Sequence, residues 1–75
     1  MSDTLISMDY RFVDILNANQ LEVGDLIGIG IIGVVKINSI TPMKDGFLIV
    51  IENEFDEEED VVIGDDEKFE LFILE

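Results

Sequence analysis

The sequence predicts a single, mostly β domain: a small antiparallel barrel or sandwich of five to six short strands, with at most one short helical turn. Three observations predict it. β-Branched and aromatic residues recur in short runs such as FLIVI at 47–51, which suit a pleated surface better than a helix. Turn residues punctuate those runs at short, regular intervals, the spacing of a small barrel or sandwich. The chain has 75 residues and no Gly/Ser linker or internal repeat, so it has room for one core.

Taken in order, residues 1–9 read as a flexible tail or a short edge strand, and 10–75 as the β domain. Tyr10–Leu16 (YRFVDIL) reads as a strand with Tyr10, Phe12 and Asp14 on one face and Arg11, Val13 and Ile15 on the other, because side chains alternate along a strand. Asn17–Gln20 reads as a turn or one 3₁₀ turn. Leu21–Asp25 is a turn feeding a strand from Leu26. Val34–Thr41 (VVKINSIT) is rich in β-branched residues and continues the sheet. Pro42–Gly46 is a turn signalled by Asp45-Gly46. Phe47–Ile51 is apolar at every position, the pattern of an inner strand. Glu54–Asp60 reads as an acidic loop or hairpin tip, Val61–Ile63 as a short strand, and Gly64–Asp66 as a turn. Lys68–Leu74 is the last strand, with Phe69, Leu71 and Ile73 on one face.

Charge and composition exclude several functions. The chain carries 18 acids, 4 bases and a net charge of −14. Residues 1–51 contribute −3 and residues 52–75 contribute −11. High charge with low hydrophobicity produces disorder, but 48% of these residues are hydrophobic, so a folded domain is expected. The field repels phosphates, which argues against direct nucleic-acid binding and against anionic membranes. It attracts basic partners. The chain has no cysteine and no histidine, which removes disulfides, thiolate chemistry and the commonest general base and metal ligand. We therefore expect no enzymatic activity, no cofactor and no dedicated metal site. Met1–Asp9 has no basic run and no apolar run spans a bilayer, so a cytoplasmic location is expected.

Two motif matches weaken on inspection. Gly28-x-Gly30-x-x-Gly33 matches a dinucleotide fingerprint, but that fingerprint needs a helix after the glycines, and Val34, Val35 and Ile37 favour a strand. Asp56–Glu67 resembles an EF-hand loop with Asp56, Glu58 and Asp60 at positions 1, 3 and 5. Its position 6, which should be Gly, is Val61.

The acidic segment has a sharper reading. Alternate residues of a strand lie about 6.6 Å apart on one side, so Asp56, Glu58 and Asp60 can imitate a short row of phosphates. Phosphates advance about 3.4 Å per nucleotide along one DNA strand. The candidate partner-binding residues are Glu54, Asp56, Glu57, Glu58, Glu59, Asp60, Asp65, Asp66, Glu67 and Glu70. Carboxylates crowded this way are expected to resist joint ionisation, with raised pKa values.

Leu21-Glu22-Val23-Gly24-Asp25-Leu26-Ile27 resembles the L-x-x-G-D-x-I turn that opens many SH3-like small barrels. Asp45-Gly46-Phe47 and Phe69-x-Leu71 fit the same layout over residues 10–74. That resemblance implies a fold and no function. In size, acidity and lack of catalytic groups the chain is similar to the small DNA-mimic inhibitors that many bacteriophages make. This likeness implies a non-enzymatic inhibitor or modulator that binds a basic DNA-binding protein (a nucleoid protein, polymerase or nuclease) in the cytoplasm of a bacterial host. The alternative is a structural or assembly module that forms a homodimer or larger oligomer through apolar strand faces, with Leu48, Val50, Phe72 and Leu74 as candidates.

Overall fold

The computed structural model describes residues 9–74; the tail or edge strand expected at residues 1–9 lies outside them except for Asp9. The alternating runs form six strands: β1 (Tyr10–Asn17), β2 (Leu26–Ile29), β3 (Gly33–Met43), β4 (Gly46–Glu52), β5 (Glu58–Gly64) and β6 (Lys68–Leu74). They pair into one antiparallel sheet of order β1-β6-β2-β3-β4-β5. Strands β2 to β5 form a meander, β6 returns to pair with β2, and β1 is added outside β6. The mostly β, six-stranded expectation therefore holds. Among the described residues the sheet is open, however, because β1 and β5 form its two edges and do not pair with each other. The helical content among the described residues is two 3₁₀ turns, Ala18–Gln20 and Gly30–Ile32. The first falls where a turn was expected, and no described helix is long and apolar enough to cross a membrane.

The core lies on one face of this sheet. Ile27 of β2, Val35 and Ile37 of β3, Ile49 and Ile51 of β4 and Ile63 of β5 are buried, and Ala18 and Leu21 close one end. Ile27, Ile37 and Ile49 are wholly inaccessible. No second sheet covers them among the described residues, so the sheet must curl over its own apolar face to exclude water. Each such isoleucine contributes roughly 1.5–3 kcal/mol.

The opposite, outer face carries a row of directly paired side chains that crosses the whole sheet: Phe12, Phe72, Leu26, Lys36, Glu52 and Glu58. One end of the row is aromatic, with Phe12 and Phe72 edge-to-face at 6.2 Å between ring centroids. The other end is acidic.

The L-x-x-G-D segment forms a tight turn. The Glu22 N–H donates to Asp25 Oδ2 (2.8 Å) and the Asp25 N–H to the Glu22 carbonyl (3.1 Å). Gly24 takes φ +99°, which favours glycine. Reciprocal bonds tie the turn to β3: the Gly24 N–H donates to the Ile37 carbonyl and the Ile37 N–H to the Asp25 carbonyl.

Four expectations are corrected. The register of β1 on β6 skips Val13, so a bulge interrupts the alternation. Ile15 then shares a face with Tyr10 and Phe12, while Asp14 joins Arg11. The hairpin turn between β3 and β4 is Lys44-Asp45, with Pro42 inside β3 opposite Phe47. Proline fits there because β2 pairs only with Gly33–Lys36, which leaves that stretch of β3 without a second neighbour. Glu58, Glu59 and Asp60 are strand residues of β5, not loop residues. The single helical turn expected becomes two: a second 3₁₀ turn, Gly30–Ile32, lies between β2, which holds Gly28, and β3, which begins at Gly33.

Candidate acidic binding edge

Strand β5 is a sheet edge, and its first three residues are all acidic and exposed. Glu58 pairs with Glu52 and Asp60 with Val50, so Glu58 and Asp60 share the outer face. Glu59 pairs with Ile51 and points to the core side, where it remains exposed at the rim. The strand forms despite these charges because Val61 and Ile63 pack on the core side opposite Ile49 and Phe47.

The connection from β4 to β5 is built around Asn53. Its Oδ1 accepts from the Phe55 N–H (2.8 Å) and the Glu57 N–H (3.1 Å). Its Nδ2 donates to Glu57 Oε1 (3.1 Å) and its N–H to the Glu57 carbonyl (3.0 Å). Asp56 adopts φ +62°, a region that Asp tolerates better than most residues. Asp56 therefore leaves the alternation of β5 and does not continue the Glu58–Asp60 row. The turn exposes Glu54, Asp56 and Glu57, with Phe55 between them at 74% exposure.

At the other end of β5 the acids divide. Asp65 and Asp66 are exposed. Glu67 closes its own turn: Oε1 accepts from the Gly64 N–H at 2.6 Å, and its carbonyl accepts from the Ala18 N–H. Glu70 stands apart. It lies on β6 opposite Ile15, with three strands between β6 and β5. Nine of the ten candidate acids thus gather on or at the ends of the β5 edge, and Glu70 does not.

Sequence reading missed the residues that organise this edge: Glu52, Asn38 and Asn53. Asn38 sits where the β3–β4 register skips a residue, and its Nδ2 donates to both Glu52 Oε1 (2.9 Å) and Glu58 Oε2 (2.8 Å). One amide bridges two neighbouring carboxylates. The Glu52 carboxyl is consequently held below the ordinary carboxylate range, first by the Asn38 bond, then by a hydrogen bond with Asp56 and by attraction to Lys36; partial burial opposes these. Crowding does not govern this group. An asparagine immediately before an acidic run was the available signal for the turn, whereas nothing local marked Asn38.

Beside the edge lies a shallow cleft of about 200 Å³ with Tyr10, Leu26, Val34 and Leu74 on its apolar side and Glu52, Glu54 and Asp56 on its acidic side. Lys36 lies between the two sides, where it attracts the Glu52 carboxylate. Among the described residues no cluster of acids has the arrangement of a metal site, and Glu58 and Asp60 lie in extended strand, unlike residues of a calcium loop. Comparison of the chain with protein families, with curated proteins and with solved structures returns no match.

Proposed function

We propose that the protein is a non-enzymatic inhibitor or modulator that binds a basic DNA-binding protein through the β5 edge by presenting carboxylates where DNA presents phosphates. One observation carries this reading: residues 52–67 hold ten acids and no base, and most of those acids are exposed along one strand edge and its two ends. Seven residues of β5 extend about 20 Å, the reach of roughly six nucleotides on one strand. The Asn53 turn and the Asn38 bridge fix several of these carboxylates in advance, which lowers the ordering cost of binding. Partners of the expected kind are a nucleoid protein, polymerase or nuclease, met in the cytoplasm of a bacterial host if the gene is carried by a phage. The meander with β6 returning to β2 supports an SH3-like layout for the scaffold.

The test is capture from bacterial lysate on the immobilised protein, with elution by salt and by duplex DNA. A DNA-binding protein released by both supports the reading. Capture that resists both, or no capture, overturns it.

A second reading, a module that assembles with itself through apolar strand faces, is supported by a separate observation. Phe12 (51%) and Ile15 (53%) of β1 are exposed at the other sheet edge, and Leu74 (52%) of β6 is exposed beside it on the apolar side of the cleft. Leu48, Val50 and Phe72, the other candidates for such a face, are half-buried.

A further inference from the structure

We propose that the chain assembles head to tail, with the isoleucine tip between β2 and β3 of one copy seated in a hollow between the β3–β4 hairpin and β5 of the next. The inference shares self-assembly with the second reading above, but it uses a tip and a hollow where that reading uses strand faces.

The tip is apolar and stands free. Residues 26–35 (LIGIGIIGVV) run without a charge in a chain that is 29% charged. Gly30 (φ +42°) and Gly33 (φ +95°) turn the backbone at the top of this hairpin, and a Cβ at either would find no heavy atom within 4 Å. Ile31 between them is fully exposed, and Ile32 is exposed as well. An isoleucine left wholly in water leaves its transfer free energy unrealised. The tip fills no hollow of its own chain.

The hollow lies at the far end of β3. The tip joins that strand at Gly33 and the strand ends at Met43, roughly 30 Å away along extended chain. There Gly46 and Gly64 face each other across β4 and β5 and place no side chain between Met43 and Val62. A hollow of about 280 Å³ opens between them, lined also by Phe47 and Ile63. Met43 and Val62 are both exposed, so filling it covers apolar surface on both partners. One base and one acid, Lys44 and Asp45, complete the lining, so it offers no net charge to a charged guest. Asp65 and Asp66 are exposed just beyond Gly64 and repel an acidic surface, but the tip carries no charge. It is thus the part of a chain of net charge −14 that a second copy can bring here. The distance along β3 forbids the contact within one molecule. A knob at one end and a hollow at the other make a heterologous contact, which repeats into an open chain or closes into a ring.

The experiment is sedimentation equilibrium of the full chain over a concentration series, at about physiological salt and at about 1 M salt, where repulsion is screened beyond roughly 8 Å and 3 Å. Wild type should associate, and more strongly at the higher salt. Ile31→Asp and Met43→Asp should each weaken association by about tenfold or more. Both positions are exposed, so the far-UV CD spectrum should not change. Ile15→Asp adds the same charge on a strand face and should stay within about threefold of wild type. The chain has no native cysteine. On mild oxidation, Ile31→Cys mixed with Val62→Cys should therefore give the mixed disulfide in preference to either homodimer, and Ile31→Cys mixed with Val13→Cys should show no preference. A wild-type monomer under all conditions overturns the proposal and the second reading together. Assembly that survives Ile31→Asp overturns the proposal, and its loss in Ile15→Asp then leaves the second reading standing. Assembly lost in Ile31→Asp, but with no preferred disulfide to Val62→Cys, overturns the hollow as the seat and the proposal with it.

Discussion

Gly46 and Gly64 face each other across β4 and β5, yet alanine should have opposite consequences at the two positions. A Cβ at Gly46 would collide with the Ile63 carbonyl oxygen, and it would lie 3.0 Å from both Gly64 Cα and the Ile63 carbonyl carbon. These are all backbone atoms, so no rotamer change relieves the contact. Relief requires β4 to move from β5 at this end of the ladder. Loosening about two ladder hydrogen bonds costs roughly 1 kcal/mol each, and residual overpacking adds about 1–3 kcal/mol. The stiffer unfolded chain returns about 0.4–1 kcal/mol. The net loss for Gly46→Ala is about 2–4 kcal/mol, a large part of the roughly 4–11 kcal/mol expected for a domain of this size. In thermal melts it corresponds to roughly 10–25 °C. A Cβ at Gly64 would instead meet Asp66 Oδ1 at 3.3 Å, the end of an exposed side chain that can turn aside, and Glu67 Oε1 at 3.6 Å, an ordinary contact that leaves its bond with the Gly64 N–H in place. Gly64→Ala should therefore change stability by no more than about 1 kcal/mol. Urea unfolding of both variants, with m unchanged, measures the difference. Equal midpoints for the two would refute the claim that backbone approach at Gly46 decides how closely β4 and β5 pack.

Neutralising Asp56, Glu58, Asp60, Asp65 and Asp66 together to Asn or Gln should abolish capture of a basic DNA-binding protein and leave the far-UV CD spectrum unchanged, whereas Glu58→Gln alone should weaken capture only modestly, since Coulomb attraction is spread over the edge. Because the folded state holds the Glu52 carboxyl below its ordinary value, its contribution is present above the unfolded value near 4.3 and is lost as pH falls below it. Urea midpoints between about pH 3 and pH 6 should therefore fall less steeply on the acid side in Glu52→Gln than in the native chain, and parallel profiles would count against the Asn38 bridge. Asn53→Ala removes the side-chain acceptor of two N–H groups in the β4–β5 turn and should cost about 1–2 kcal/mol, with faster amide exchange at Phe55 and Glu57 as the local sign.

Much of this protein follows from its sequence. Period-two alternation with turn residues between the runs fixes the strands, because side-chain direction along a strand is a local property. That logic located the β-branched run of β3, the apolar run of β4, the faces of β6 and the 3₁₀ turn at Ala18–Gln20. The gathering of acids after residue 51 was equally plain, since charge needs no fold to be counted. Tertiary structure decided the rest. The bulges at Val13 and Asn38 depend on partners that are distant in sequence, and each reverses or redirects side chains that alternation alone would misplace. Which strands became edges also depended on long-range pairing. The return of β6 to β2 left β1 and β5 outermost among the described strands, and the fold then brought Tyr10 and Leu74 to the cleft that Glu52, Glu54 and Asp56 line. Glu70 shows the same division: in sequence it lies three residues from Glu67, but antiparallel pairing carries it to β6, with three strands between it and β5.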